Sequence, residues 1–175
     1  MRIDVAALEA GQVVHAAFSE TIDSKTEDVL FDVPAAGDLQ ITRDRTTVRL
    51  RGMVESSTPL SCGRCLTPFR LPLRAYLDEE FLVDPGASST PEQRELKDED
   101  FIHPLGPELI LDVTEVVRQH LLLELPMIPL CRPDCRGLCP QCGANWNETT
   151  CSHRALDIDP RLAPLLKLRD KLPEK

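Results

Sequence analysis

Aromatic residues are scarce in this sequence and make up only 4% of its 175 residues. Because 42% of the residues are apolar, a core can still form, but it must consist mainly of Leu, Val, Ile and Ala. The scarcity of aromatic rings also limits the stacking of nucleic-acid bases. The fifteen prolines disfavour a helical bundle, since each one removes a backbone hydrogen-bond donor.

Long apolar runs are also missing. No stretch approaches the length that crosses a bilayer, and no apolar region of a signal peptide follows Met1-Arg2-Ile3-Asp4. These absences predict a cytoplasmic protein without a membrane partner. Thiols stay reduced in that compartment, so its seven cysteines, an odd number, suit metal binding better than a disulfide framework.

The signatures of zinc enzymes are missing as well. The sequence contains neither the His-Glu-x-x-His of metalloproteases nor the His-x-Glu of deaminases, and Pro140 lies inside a cysteine pair instead of before it. A zinc hydrolase or deaminase is therefore disfavoured. We predict a protein that is not an enzyme, with no catalytic residues and no small-molecule substrate.

The sequence does contain eight potential metal ligands, arranged as four close pairs. The pairs are Cys62 and Cys65, Cys131 and Cys135, Cys139 and Cys142, and Cys151 and His153. Structural zinc takes four Cys or His ligands, typically as two pairs from separate segments. The eight ligands therefore predict two bound zinc ions.

Two groupings of these pairs are possible. We favour one site at Cys62, Cys65, Cys131 and Cys135 and a second at Cys139, Cys142, Cys151 and His153. The alternative groups residues 131, 135, 139 and 142, and it would close a tight loop with only three residues between its pairs. The run from Cys139 to Gly143 is typical of the knuckles of rubredoxin-like and zinc-ribbon proteins, in which the glycine allows a tight turn around the metal.

Charge is unevenly distributed along the chain, whose net charge is −9. Residues 41–75 carry seven arginines against two acids, a net of +5, whereas residues 78–100 carry nine acids against two basic residues, a net of −7. This pattern predicts a basic region on an acidic protein and argues against a surface that binds nucleic acid all over.

Alternating apolar and polar residues predict an antiparallel hairpin. Residues 46–51 and 69–75 each alternate with period two, and they flank Cys62 and Cys65, which would lie at the hairpin tip. The outward face would carry four arginines, which are either candidate RNA contacts or part of a solvated strand face: Arg49, Arg51, Arg70 and Arg74. Short strands are also predicted at residues 13–18 and 29–33.

One helix is predicted, at residues 109–125, beginning near Asp112 or Thr114 and stopped by Pro126. A hydrogen-bonded His120 would lie on its apolar face. A flexible acidic loop is expected at residues 84–100 and a short helix in the tail, residues 159–175. The predicted fold class is α+β, with an antiparallel strand-rich body and one main helix over residues 1–130, and a zinc-bound, cysteine-rich C-terminal segment and tail over residues 131–175.

At these motifs the chain resembles the YceD-like family, the large ribosomal RNA subunit accumulation proteins of bacteria and plastids. The matching features are Cys62-Gly-Arg-Cys65-Leu66 with Phe69, Leu125-Pro126-x-x-Pro129, the run from Cys131 to Asn145-x-Asn147, and Asp159-Pro160-Arg161. Such proteins commonly end the cluster with Cys-x-Cys, where this chain has an extended variant ending in Cys151-Ser152-His153. The resemblance implies a role in producing or retaining 23S ribosomal RNA, and it supplies no catalytic residues.

Three functions are compatible with these features. A ribosome-biogenesis factor would bind precursor RNA of the large subunit or a ribosomal protein, with the hairpin arginines contacting phosphates. A zinc-dependent or thiol redox module would use the same cysteines, although a redox Cys-x-x-Cys is expected at a helix N-terminus and not at a hairpin tip. A zinc hydrolase or deaminase is the third. We favour the first.

Overall fold

The structure, a computed structural model, describes residues 1–23, 29–83, 102–153 and Arg161. Strands dominate these residues, which contain one α-helix, in agreement with the predicted α+β class. The elements in chain order are β1 (Arg2–Asp4), a short 3-10 helix (Val5–Ala7), β2 (Val13–Glu20), β3 (Val33–Arg43), β4 (Thr47–Ser61), β5 (Pro68–Leu82), β6 (His103–Pro104), β7 (Ile110–Asp112) and α1 (Val113–Leu123).

Five strands form the main sheet in the order β2-β3-β4-β5-β6. The strands from β2 to β5 are antiparallel neighbours in chain order, whereas β6 pairs in parallel with the end of β5. The two remaining strands, β1 and β7, form a separate antiparallel pair. The main sheet is therefore a meander whose longest hairpin, β4–β5, extends to the candidate metal ligands.

The predicted hairpin is present and is longer than the sequence suggested, since β4 and β5 have 15 residues each. Ser61 pairs with Pro68, so residues 62–67 form the turn at the tip. Successive side chains point to opposite faces of a strand. One face is therefore buried in an aliphatic core: Val48, Leu50, Val54, Leu73, Ala75 and Leu77. Both predicted segments lie in this hairpin, and residues 47–51 pair with residues 78–82 because β5 continues beyond residue 75.

Helix α1 is shorter than the predicted helix at residues 109–125. It begins at Val113, because Ile110–Asp112 pairs with β1 as strand β7, and it ends at Leu123. The carboxylate of Asp112 accepts a hydrogen bond from the backbone N–H of Glu115 at 3.2 Å, so the predicted cap is confirmed. Three residues of the predicted apolar face are buried: Val113, Val117 and Leu121.

His120 lies half-buried on this face of α1. Its Nε2 atom is 3.0 Å from Oε1 of Glu79, a residue of β5 whose side chain shares the inner face of the sheet. The expectation of a hydrogen-bonded histidine is therefore confirmed. The contact also fixes the helix against the hairpin that leads to the candidate site.

The strand predicted at residues 29–33 is wrong, because β3 begins only at Val33. Side chains of β4 hold the preceding segment and the start of β3 instead: the hydroxyl of Thr58 donates to the carbonyl of Leu30 at 2.7 Å, and that of Ser56 to the carbonyl of Val33 at 2.8 Å. The pairing of β3 with β4 is also irregular between Val33 and Ala36. Proline at position 34 cannot donate to a ladder, which explains the irregular start.

The acidic loop predicted at residues 84–100 lies outside the described residues, as does the tail helix predicted at residues 159–175, of which only Arg161 is described. Among the described residues, no helix is both long and apolar enough to span a membrane.

Candidate metal centres

The tip of the β4–β5 hairpin and the segment that follows α1 together form a four-cysteine cluster, here called the tip centre. Its members are Cys62, Cys65, Cys131 and Cys135, whose sulfur atoms all lie within 4.8 Å of one another. The backbone joins the same two segments, since the N–H of Gly63 donates to the carbonyl of Pro129 at 2.7 Å. Folding therefore brings together the set that the spacing favoured.

The distances within the tip centre suit four thiolates around one ion. The Sγ atoms of Cys62 and Cys135 are 3.7 Å apart, and those of Cys65 and Cys131 are 3.6 Å apart. Zinc–sulfur bonds of about 2.3 Å in a tetrahedron place the sulfur atoms about 3.8 Å apart. The cysteines are free thiols, and these separations are well above a disulfide bond of about 2.05 Å.

The electrostatics of the tip centre favour a bound cation. Hydrogen bonds from backbone N–H groups, foremost that of Cys65, lower the pKa of Cys62 to about 6. Burial raises the pKa of Cys131 to about 12. Four negative thiolates in a largely buried cluster repel one another, so a cation is needed before all four can ionise together.

The second cluster, here called the outer centre, is formed by residues of the C-terminal segment alone. Its members are Cys139, Cys142, Cys151 and His153, whose ligand atoms also lie within 4.8 Å of one another. The Nδ1 atom of His153 is 3.9 Å from Sγ of Cys139, so this ring nitrogen faces the cluster. Both Cys142 and His153 are exposed, whereas Cys62 of the tip centre is fully buried. Solvent therefore reaches the outer centre more readily.

An indole group supports the outer centre from the side. The Nε1–H of Trp146 donates to Sγ of Cys151 at 3.2 Å. This hydrogen bond, followed by one from His153, lowers the pKa of Cys151 to about 6. Since a thiolate is the form that binds a metal, the arrangement prepares Cys151 to act as a ligand near neutral pH.

Both Cys-x-x-Cys turns have the same backbone arrangement. In the first, the N–H of Leu66 donates to the carbonyl of Cys62 at 2.9 Å, and in the second, the N–H of Gly143 donates to the carbonyl of Cys139 at 2.8 Å. The residue after the second cysteine is left-handed in each turn, with φ of 59° at Leu66 and 71° at Gly143. Sequence reasoning found this role for Gly143 and missed it for Leu66, where no glycine marks the position.

Residues 145–147 connect the two centres, a role that sequence reasoning did not assign. The amide Nδ2–H of Asn147 donates to Sγ of Cys135 in the tip centre at 3.3 Å, while Trp146 contacts the outer centre. The amide of Asn145 lies 3.4 Å from the hydroxyl of Thr67 in the hairpin turn. In the sequence, only the two asparagines of the Asn145-x-Asn147 motif could have indicated this role. Their amide groups form hydrogen bonds around the cysteine ligands and do not bind a metal themselves.

The four hairpin arginines lie on the outward face, as the alternation predicted, but each is paired with an acid. Arg49 and Arg51 both contact Asp78, at 2.7 and 3.0 Å. The other two pairs are Arg70 with Asp32 at 2.8 Å and Arg74 with Glu55 at 2.6 Å. Hydrogen bonds from Arg49 and then Arg51 hold the pKa of Asp78 well below its usual range, so this acid stays ionised. Three acids thus pair with the four hairpin arginines and offset most of the positive charge of this face.

The fold and the two centres define a strand-rich α+β protein whose cysteine-rich segment is joined to a hairpin tip by a cluster of thiols. The family model of the large ribosomal RNA subunit accumulation protein YceD matches residues 50–169, which include most of the hairpin, α1 and all eight candidate ligands. The match covers more than half of the chain, and the chain belongs to this family.

Relatives from bacteria and plants agree with this assignment. An uncharacterized protein of Mycobacterium tuberculosis is 36% identical over 131 residues, covering 75% of this chain and 60% of the relative. The Arabidopsis thaliana protein named large ribosomal RNA subunit accumulation protein YCED homolog 1, chloroplastic, is 26% identical over 163 residues, covering 81% of this chain and 50% of the relative. The chain thus spans between half and about 60% of the length of these two relatives. No solved structure matches the chain.

Proposed function

We propose that this chain is a non-enzymatic cytoplasmic factor that supports the accumulation of 23S ribosomal RNA and holds two structural zinc ions. Membership of the YceD family carries the ribosomal part, because the similar chloroplast proteins are named for the accumulation of large ribosomal subunit RNA. Its partner would be a precursor of the large subunit, through either its RNA or a ribosomal protein. The division into a body at residues 1–130 and a zinc-bound segment at 131–175 is part of the same proposal.

Complete ligand sets support a structural role for zinc. The tip centre offers four thiolates, and the outer centre offers three thiolates and an imidazole, so each set fills a tetrahedral ion. Catalytic zinc keeps one position for water or substrate, which neither set leaves. Zinc would instead hold the C-terminal segment on the hairpin tip and close the loop at residues 139–153.

A thiol redox module is the second candidate, because the sulfur pairs of the tip centre are close enough to form disulfides after small movements. The position of Cys62 and Cys65 in a hairpin turn, and not at a helix N-terminus, argues against it. Metal analysis with thiol counting separates the two. We expect two zinc ions per chain, whereas a metal-free chain with reversibly oxidised cysteines would support the redox module.

The ribosomal role is tested in cells depleted of the chain. We expect the ratio of 23S to 16S ribosomal RNA to fall, and the tagged chain to co-sediment with large-subunit precursors. Cys62→Ser should fail to restore the ratio because it removes a ligand of the tip centre, whereas Ser61→Ala, at the exposed neighbouring position, should restore it. An unchanged ratio after depletion would contradict the proposal.

The hairpin arginines are proposed to contact RNA phosphates by exchanging their acid partners for phosphate. Asp78→Asn would free Arg49 and Arg51 together, whereas Glu55→Gln would free only Arg74. Both variants remove one negative charge, so a larger gain in RNA binding and a steeper salt dependence are expected for Asp78→Asn. Replacing all four arginines by Glu should weaken binding. Equal effects of the two single variants would indicate a general charge effect and a solvated arginine face.

A further inference from the structure

An open groove of about 520 Å³ lies beside the outer centre. Five residues line it: Arg136, Trp146, Thr150, Cys151 and His153. None of the five is acidic, and none belongs to the hairpin arginines. Cys151 and His153 are candidate ligands and Trp146 donates a hydrogen bond to Cys151, whereas the side chains of Arg136 and Thr150 make no hydrogen bond to either centre within the described residues.

Arg136 differs from the hairpin arginines in its charge environment. Within the described residues, no acidic side chain pairs with its guanidinium, and the residue is exposed. Its backbone is held in place, because its N–H donates to Oδ1 of Asn147 at 2.9 Å. A guanidinium of this kind is free to bind a phosphate through two parallel hydrogen bonds without first losing an acidic partner.

Trp146 supplies a fixed aromatic ring in the same groove. Its indole N–H is held by Cys151, and its backbone N–H donates to the carbonyl of Gly137 at 3.0 Å. The ring is only half-buried and lines the groove, so its orientation is set while part of its surface stays accessible. Fixed rings of this type are stacking platforms for unpaired bases, and each stacked base contributes about 5- to 150-fold in affinity.

We propose that this groove binds single-stranded RNA, with a base stacked on Trp146 and a neighbouring phosphate bound by Arg136. His153 presents Nδ1 to the outer centre, so with a metal ion bound there its Nε2 would carry the proton and act as a further donor, as would the hydroxyl of Thr150. The ligand is single-stranded because the bases of a duplex are already stacked on one another. The inference deepens the proposed function and rests on it, since it names the part of the chain that would contact precursor RNA.

The sole tryptophan of the chain, Trp146, reports directly on the groove. In zinc-loaded full-length protein at low salt, titration with a uridine oligonucleotide of about ten nucleotides should quench its fluorescence. An RNA duplex serves as the comparison. Quenching by single-stranded RNA and little by the duplex supports the groove, whereas no quenching by the single strand, or equal quenching by the duplex, overturns it.

Two pairs of variants separate the groove from general charge effects, with binding measured by anisotropy of a labelled oligonucleotide. Arg136→Gln should weaken binding and reduce the slope of log K against log salt by about 0.7, the value for one phosphate on a single strand. Arg132→Gln is the matched control, because Arg132 is exposed in the same segment but lies 3.6 Å from Asp134 and outside the groove. Equal losses in the two variants would overturn the proposal.

Trp146→Ala should lose about 5- to 150-fold in affinity, while Trp146→Phe keeps a stacking ring and most of the affinity. If either variant loses zinc, the comparison of Arg136→Gln with Arg132→Gln decides alone, since within the described residues the side chain of Arg136 makes no hydrogen bond to either centre. A parent chain that co-sediments with large-subunit precursors but does not bind the oligonucleotide overturns the groove and leaves the ribosomal function standing. A chain that neither co-sediments nor affects 23S ribosomal RNA overturns the proposed function itself.

Discussion

At the scale of single residues, Leu66 and Gly143 both have a left-handed backbone in a Cys-x-x-Cys turn. We therefore expect substitutions at these two positions to have opposite effects on stability. Gly143→Ala adds a Cβ that meets no atom within 4 Å, so its cost is conformational, about 1 kcal/mol in the free energy of unfolding. Leu66→Gly removes the backbone strain that a left-handed leucine carries. Since the leucine side chain is 65% exposed, little packing is lost, and the variant should be neutral or slightly stabilising. Denaturant unfolding of the zinc-loaded protein measures both. A larger loss for Leu66→Gly than for Gly143→Ala would contradict the shared geometry.

The ligands could be predicted from the sequence, whereas the partners of the arginines could not. Metal ligands come in short pairs whose spacing is set by the size of the ion, so Cys139 and Cys142 identify one another locally. Asp78 and Arg49 are 29 positions apart and meet only through the register of two strands. A two-residue shift in register would keep both side chains on the outward face but give Arg49 a different partner, and the apolar alternation does not exclude such a shift.

At the scale of secondary-structure elements, the start of α1 depends on one carboxylate. Asp112→Ala removes the acceptor for the N–H of Glu115 and should cost about 1 kcal/mol, which lowers the melting temperature by about 2–4 °C. Asp112→Asn keeps an acceptor and should retain most of the stability. Asp112 also contacts Arg2 at 3.2 Å, so Arg2→Ala is the control for that exposed ion pair and should change little. Equal losses in Asp112→Ala and Arg2→Ala would assign the effect to the ion pair.

The sequence pattern correctly predicted the elements that are defined by one buried face of their own residues. The alternation in β4 and β5 and the apolar spacing of α1 each follow from one buried face, and both elements are present. The predicted helix at residues 109–125 includes the segment at residues 110–112. Pairing with β1, more than 100 positions earlier, makes it strand β7 instead. The strand β3 contains Pro34 and Gly37, which resemble turn signals, and only its two neighbouring strands stabilise it as a strand.

At the scale of the whole molecule, the two centres have different roles in stability. The tip centre joins segments that are distant in sequence, and few other described hydrogen bonds hold residues 129–153 on the hairpin: Gly63 with Pro129, Arg64 with Cys135, and Asn145 with Thr67. The outer centre closes a loop within one segment. Structural zinc contributes on the order of 10 kcal/mol, comparable with the stability of a whole domain. Loss of the tip centre should therefore release the segment, and loss of the outer centre should loosen it only locally.

Chelation should consequently remove the two zinc ions in order, the outer one first, because Cys142 and His153 are exposed while Cys62 is fully buried. Zinc release followed with a coloured chelator should show two phases. Hydrogen exchange should show that the amide of Cys139, bonded to the carbonyl of Ala144, loses protection in the first phase. The amide of Gly63, bonded to the carbonyl of Pro129, should keep its protection until the second phase.

Two ligand variants should reproduce these stages separately. Cys142→Ser should expose the amide of Cys139 alone, as in the first phase, and Cys62→Ser should expose the amide of Gly63. Release of both ions in one phase, with both amides exposed together, would show that the two centres act as one unit coupled through residues 145–147.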